Sequence, residues 1–217
     1  MAKFILSVRR VTTETDRRQA LRILRIIYRW EKQWVRDETK VFPEDDLRNP
    51  SMSWFLALFG RIPAGVIRVL YDPPLHEYQK YALDTVTEGF DIESFLREHK
   101  IAEIGRFAVR PRFRKILGVA SLLIKAATEE TVWRGYSHFI TDVFEGEKHS
   151  PYSFHKRVIG FQEVATHETG ELDCRLRRIT MMLNLKEAYQ RLRLRRCRFY
   201  RFLTEGWDDA LHRQLSA

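Results

Sequence analysis

Cysteine is scarce in this chain: Cys174 and Cys197 are the only two among 217 residues. Two isolated thiols give no disulfide framework and no cysteine-built zinc cluster, and they fit a reducing compartment, so a cytoplasmic location is expected. Long apolar runs are missing as well. None approaches the roughly 18 residues needed to span a bilayer. The opening Met-Ala-Lys-Phe-Ile-Leu-Ser-Val-Arg-Arg lacks the apolar core and cleavage site of a secretory signal. There is no internal repeat and no low-complexity tract. Acidic residues are outnumbered, 29 against 38 basic, for a formal net charge of +9. That excess fits a polyanionic partner without choosing among coenzyme phosphates, an acidic carrier protein, anionic lipid and nucleic acid.

What is present is a globular chain: 44% hydrophobic and 12% aromatic residues exclude disorder. The length suits one domain with an appendage. Residues 4–8 read as a strand, and Leu21, Leu24, Ile27 and Tyr28 recur at helical spacing within 16–36, with Thr15 or Asp16 available as N-cap. Residues 54–59, a turn at 60–63 and residues 64–70 read as a β-hairpin, and a short helix is expected near 92–98. A strand at 101–109 precedes a helix with Val119, Leu122, Leu123, Ala126 and Trp133 on its apolar face. A strand at 138–144, a short helix at 150–159 ended by Gly160, and a hairpin turning at Thr169-Gly170 complete the pattern. The expected division is a domain over 1–185 and a basic helical extension over 186–217, packed on or beside it.

The most informative stretch is 103–123. A buried strand runs into a basic loop, with Arg106, Arg110, Arg112, Arg114 and Lys115 clustered within 106–115, and small residues then open a helix. The first N–H groups of a helix have no internal partner and its dipole favours anions there. Gly118 and Ala120 are expected to keep side chains away from a ligand lying on that backbone, so a phosphorylated cofactor is expected.

These residues resemble the cofactor signature of the GNAT acyltransferases, Arg/Gln-x-x-Gly-x-Gly/Ala after a Val-x-Pro strand end. Here Val109-Arg110-Pro111 precedes Lys115-Ile116-Leu117-Gly118-Val119-Ala120, with Lys115 where Arg or Gln is usual and Arg114 beside it. Phe154–Phe161 resembles the family's late helix running into a Gly-Phe turn, with His155 at a usual Tyr position. Glu103-Ile104-Gly105-Arg106-Phe107-Ala108-Val109 is similar to a strand of autoinducer synthases and long-chain N-acyl amino acid synthases. The glycine loop favours the second group.

The resemblance implies an α/β fold, a mixed central sheet flanked by helices, and transfer of an acyl group from acyl-CoA, acetyl-CoA or an acidic acyl carrier protein to a small-molecule amine. It implies donor binding by Phe107, Ala108 and Val109 through their backbone, and by Arg114, Lys115, Ile116, Gly118, Val119 and Ala120. A short-chain acetyltransferase and a CoA-binding module without turnover are the alternatives.

For the chemistry, Glu103 is the candidate base, against a structural ion pair with Arg106 or Arg68. His155 is the candidate acid for the leaving thiolate, against a half-exposed helix histidine with Tyr152 or nothing as the acid. Arg68 and Arg106 are candidate substrate ligands, Arg68 for an acceptor carboxylate. Glu44, Asp45 and Asp46 read as a solvated turn. His149 and His155 with Glu145 and Glu147 match no standard ligand spacing, so no metal is expected. The arginines of 191–201 read as the wet face of a docked amphipathic helix, with peripheral membrane contact ranked above nucleic acid.

Overall fold

In the computed structural model, residues 6–37, 49–73, 83–86, 88–170 and 172–216 are described. They fall into two compact units, one from Met1–Leu70, Gly105–Glu130 and Leu172–Cys174, the other from Tyr71–Ile104, Thr131–Glu171 and Arg175–Ala217. The expected acidic turn at Glu44–Asp46 lies outside the described residues.

In the first unit, β1 (Leu6–Arg10), β2 (Met52–Phe59) and β3 (Ile62–Tyr71) form an antiparallel meander, and the second half of β5 (Ile101–Val109) lies beside β3. Helix α1 (Glu14–Leu24) continues into a π-helical turn at Arg25–Glu31. Its N-cap is Thr13, rather than the expected Thr15 or Asp16: the hydroxyl accepts from the Asp16 N–H at 3.1 Å, which stabilises the helix by about 1 kcal/mol. Ala20, Ile23, Leu24, Ile27 and Tyr28 pack on Trp54, Leu56, Leu58, Val66 and Ala108. Each large apolar side chain sealed there contributes about 2 kcal/mol.

Helix α3 (Leu117–Trp133) covers the opposite face. Gly65 sets how closely it approaches. A Cβ there would stand 3.0 Å from Leu123 Cδ1, 3.1 Å from Val119 Cγ1 and 3.1 Å from the Ala108 carbonyl oxygen. Val119, Leu123 and Ala127 are fully buried, whereas Trp133, expected on that face, is 72% exposed. It falls off the i, i+4 stripe that the other three define.

In the second unit, β6 (His138–Phe144) pairs in parallel with the first half of β5 and antiparallel with β8 (Arg178–Asn184). β7 (Gln162–His167) follows on β8, and the two-residue β4 (Asp84–Thr85) on β7. The connection from β7 to β8 is longer than the expected turn at Thr169-Gly170, because pairing stops at His167–Arg178. Helix α2 (Ile92–Glu98), capped by Asp91, lays Ile92, Phe95 and Leu96 on Ile101 and Ile140. Beyond β8 run α4 (Leu185–Leu194), α5 (Arg198–Thr204) and α6 (Asp209–Ser216). Tyr189 joins these helices: it stacks on Trp207 at 6.3 Å and its hydroxyl lies 2.8 Å from His212 Nδ1.

Candidate active site

Strand β5 belongs to both units and changes character along its length. Its ladder with β6 pairs Ile101, Ala102 and Glu103 with His138, Phe139 and Ile140, and ends there. Arg106 then takes a left-handed backbone conformation, φ +50°. For a residue with a long side chain this costs about 1–2 kcal/mol, and it interrupts the extended backbone at that one position. Phe107, Ala108 and Val109 come next, leading without a break into the basic loop.

The loop is tethered rather than loose. Arg114 donates to the Val109 carbonyl at 3.1 Å and to Glu31 at 2.7 Å. Arg110 donates to the Pro63 carbonyl at 3.1 Å. Burial, with Arg112 and Arg22 nearby, lowers the Arg110 pKa from its ordinary value. Phe113 is sealed against Phe59, ring centroids 5.6 Å apart, with the Arg112 guanidinium 4.6 Å over its other side. Of the two cations expected at the signature, Lys115 is exposed and Arg114 holds the loop in shape.

The Ile116 N–H donates to Phe113 O at 2.9 Å and the Val119 N–H to Ile116 O at 3.0 Å. Between them, the N–H groups of Leu117 and Gly118 have no acceptor among the described residues. Those two donors stand at the start of a seventeen-residue helix, beside Lys115, an arrangement chemically suited to an anion. Gly118 is small for a second reason: a Cβ there would stand 2.7 Å from Leu6 Cδ1, so the first strand, besides any ligand, limits its size.

Arg68 and Arg106 are buried, 6% and 8% exposed, on the α1 side of the first unit. The Arg106 guanidinium stands 5.9 Å over the Tyr28 ring. Neither is a surface side chain.

In the second unit, strand register collects a polar group on one face. Glu103 pairs with Ile140, Asp142 lies two residues on, Thr180 is opposite Asp142, and His167 is two residues beyond Thr180's partner Ala165. The Thr180 hydroxyl donates to Asp142 at 2.8 Å, and His167 Nε2 lies 3.1 Å from the same carboxylate. His167 Nδ1 meets the Thr169 carbonyl at 2.6 Å. Asp142 was not singled out from the sequence, although an acid within His-Phe-Ile-Thr-Asp-Val-Phe is the available signal.

His155 occupies a π-helical turn, Phe154–Ile159, and is 1% exposed, packed 4.9 Å from Phe161. Burial pushes its pKa down to about 4, so at neutral pH it carries no imidazolium proton to give. Both features weigh against an acid at 155. Tyr152, three residues earlier, is half-buried, and its hydroxyl is held by the Glu163 carboxylate and, at 2.9 Å, by the Lys156 ammonium. Hydrogen bonds to Glu163 and then Tyr152 push Lys156 up to about 12, and the hydrogen bonds from Lys156 and then Tyr152 hold Glu163 below the usual carboxylate range.

A strand running through a tethered basic loop into unpaired helix N–H groups, within a mixed sheet flanked by helices, defines the GNAT type of acyltransferase fold. The family model described as "Acetyltransferase (GNAT) family" matches residues 18–161, well over half the chain, and the chain belongs to that family. Its structure is similar to that of FeeM, an N-acyl amino acid synthase from uncultured soil microbes: TM-score 0.67, 17% identity, covering 87% of this chain and 95% of that one. It is also similar to aminoglycoside 6'-acetyltransferase type Ii, TM-score 0.54, 15% identity, 83% and 97% coverage. An aminoglycoside 6'-N-acetyltransferase complexed with coenzyme A gives TM-score 0.54, 14% identity, 83% and 97% coverage. No curated protein matches the sequence.

Proposed function

We propose that the protein is an N-acyltransferase that moves an acyl group from a thioester donor, acyl-CoA or an acyl carrier protein, to the amine of an amino acid or a similar small molecule. The observation that carries this reading is the composition of β5. One strand holds a carboxylate at the last pair of the ladder, a left-handed Arg106, and then the backbone that leads into the anion-binding helix start.

In this reading the donor's phosphates lie on the Leu117 and Gly118 N–H groups, with Lys115 alongside and Ile116, Val119 and Ala120 shaping the floor. The pantetheine arm pairs with the backbone of Phe107–Val109, whose N–H groups stabilise the thioester oxygen as charge develops on it. Glu103 takes a proton from the acceptor ammonium, directly or through a water. The amine adds to the thioester carbon, the C–S bond breaks, the departing thiolate takes a proton from Tyr152, and the second proton that the nitrogen loses as the amide forms restores the Tyr152 hydroxyl by way of solvent. The proton that Glu103 received leaves to solvent. Direct attack is the simplest course, because neither Cys174 nor Cys197 is near this chemistry in sequence. Arg68, buried and fixed, supplies the charge to hold an acceptor carboxylate. Asp142, oriented by Thr180 and His167, adds a second carboxylate on the Glu103 face for the acceptor's ammonium group.

Lipid extracts from cells expressing the protein test this. The expected result is N-acyl amino acids by mass spectrometry that are absent when Glu103→Gln is expressed. The family's description favours a second reading, transfer of acetyl alone. Purified protein given acetyl-CoA and long-chain acyl-CoA in competition separates the two, since the first reading predicts preference for the long chain.

A further inference from the structure

The corner between α4 and α5 is built unlike the rest of the surface. Arg193, Leu194, Arg195, Arg196 and Arg198 are all exposed, and Arg201 continues the charge three residues along α5. Leu194, the last residue of α4, is 84% exposed, the largest value among the exposed large apolar residues. Between Glu187 and Glu205 the sequence holds no acidic residue. None of Arg193, Arg195, Arg196, Arg198 and Arg201 takes part in an ion pair among the described residues. Arg191, by contrast, turns inward, and its guanidinium donates to the Ile159 carbonyl.

The corner is held firmly. The Arg195 N–H donates to Arg191 O at 3.2 Å and the Arg196 N–H to Arg193 O at 3.0 Å, closing α4. Arg196 reverses the chain in the left-handed region, φ +46°, where glycine or asparagine would be unstrained. Cys197 Sγ then accepts from the Tyr200 N–H at 3.4 Å to start α5. Behind this turn, Tyr189, Tyr200, Trp207 and His212 lock the helices together through stacking and hydrogen bonds. An apolar side chain is thus presented on a rigid turn inside a ring of unneutralised positive charge.

We propose that this corner docks the protein on an anionic lipid surface, with the arginines at the headgroups and Leu194 entering the acyl boundary. Clustered arginines near a negatively charged leaflet each contribute attraction, and one apolar residue adds a smaller insertion term. Nucleic acid is a poorer fit. The aromatic rings that would stack on bases, Phe199 and Phe202, are half-buried and stacked on each other at 6.5 Å. An acidic protein could match the charge, but it gives no reason for a leucine standing free at the centre. The inference is independent of the acyltransferase reading, because docking needs no turnover.

Flotation of the full chain with vesicles provides the test, using phosphatidylcholine alone and phosphatidylcholine with one quarter phosphatidylglycerol. Binding to the second and not the first is expected, with loss at high salt. Arg195→Glu with Arg196→Glu should weaken it well over tenfold, since each lost arginine alone is worth roughly fivefold and reversal counts further. Leu194→Ser, which keeps every charge, should weaken it several-fold. Unchanged melting temperatures would show that the variants remain folded. Absence of binding to anionic vesicles, or equal binding to both kinds, overturns the proposal. So does full retention by Leu194→Ser together with equally tight binding to duplex DNA or polyglutamate, which would mark a general polyanion surface.

Discussion

Glu103 sits at the last pair of the β5–β6 ladder, where a half-buried carboxylate can meet an incoming amine. Glu103→Gln preserves its shape and removes proton acceptance. Turnover should fall by about 10²–10⁴, the acidic limb of the pH–rate profile should vanish, and CoA affinity should hold. A purely structural Glu103 would instead lose folded stability with normal turnover in the surviving fraction. Tyr152→Phe should lower turnover by about tenfold or more with CoA affinity unchanged, because the proposed proton donor for the leaving thiolate is lost. His155→Leu, read per folded molecule, should cost less turnover than that. The family-like pattern in the sequence pointed to position 155, since spacing along a helix was all it could report. Burial of that ring against Phe154 and Phe161 is a tertiary fact, and it is why the proposed mechanism uses the partly exposed Tyr152 instead.

At the scale of elements, the meeting of β3, β5 and α3 shapes the donor site, and Gly65 controls it. Gly65→Ala would press a methyl group on Leu123, Val119 and the Ala108 carbonyl at 3.0–3.1 Å. Stability should drop by about 1–3 kcal/mol in denaturant unfolding. CoA binding should weaken with it if Ala108 and Val119 line the donor site as proposed. A variant as stable as the parent would mean that α3 has slack. Most elements were legible in the sequence: the hairpin over 52–71 from its apolar runs and Gly-x-x-Pro turn, β5 and α3 from the strand–loop–helix order. Others were not. The left-handed Arg106 follows no propensity, and the π-helical turns at 25–31 and 154–159 share the apolar spacing of an ordinary helix. The tether of Arg114 joins it to Glu31, a residue remote in sequence, and so was beyond any local reading.

Across the whole molecule, buried histidines tie stability to pH. His155 is held near 4 by burial, and His138 near 4 by burial and then the charge of His99, against an ordinary value of about 6.5. Below about 6.5 the unfolded chain takes up protons that the folded one refuses, so stability falls as pH drops from about 6.5 to about 4. Melting temperatures across that range should show the slope, and His155→Leu should reduce it; equal slopes would contradict the assignment. The overall α/β order was readable from two short motifs in the right sequence. The polar face of Glu103, Asp142, Thr180 and His167 was not, because it depends on the register of four strands. The central claim is that the loop and helix start after β5 hold the phosphates of an acyl-thioester donor. Calorimetric titration of the full chain with CoA and with pantetheine, which lacks the phosphates, tests it most directly. The account predicts that CoA binds and that pantetheine binds roughly a hundredfold more weakly, the worth of one or two charge-assisted hydrogen bonds. Equal affinity for the two, or no binding of CoA, would contradict it.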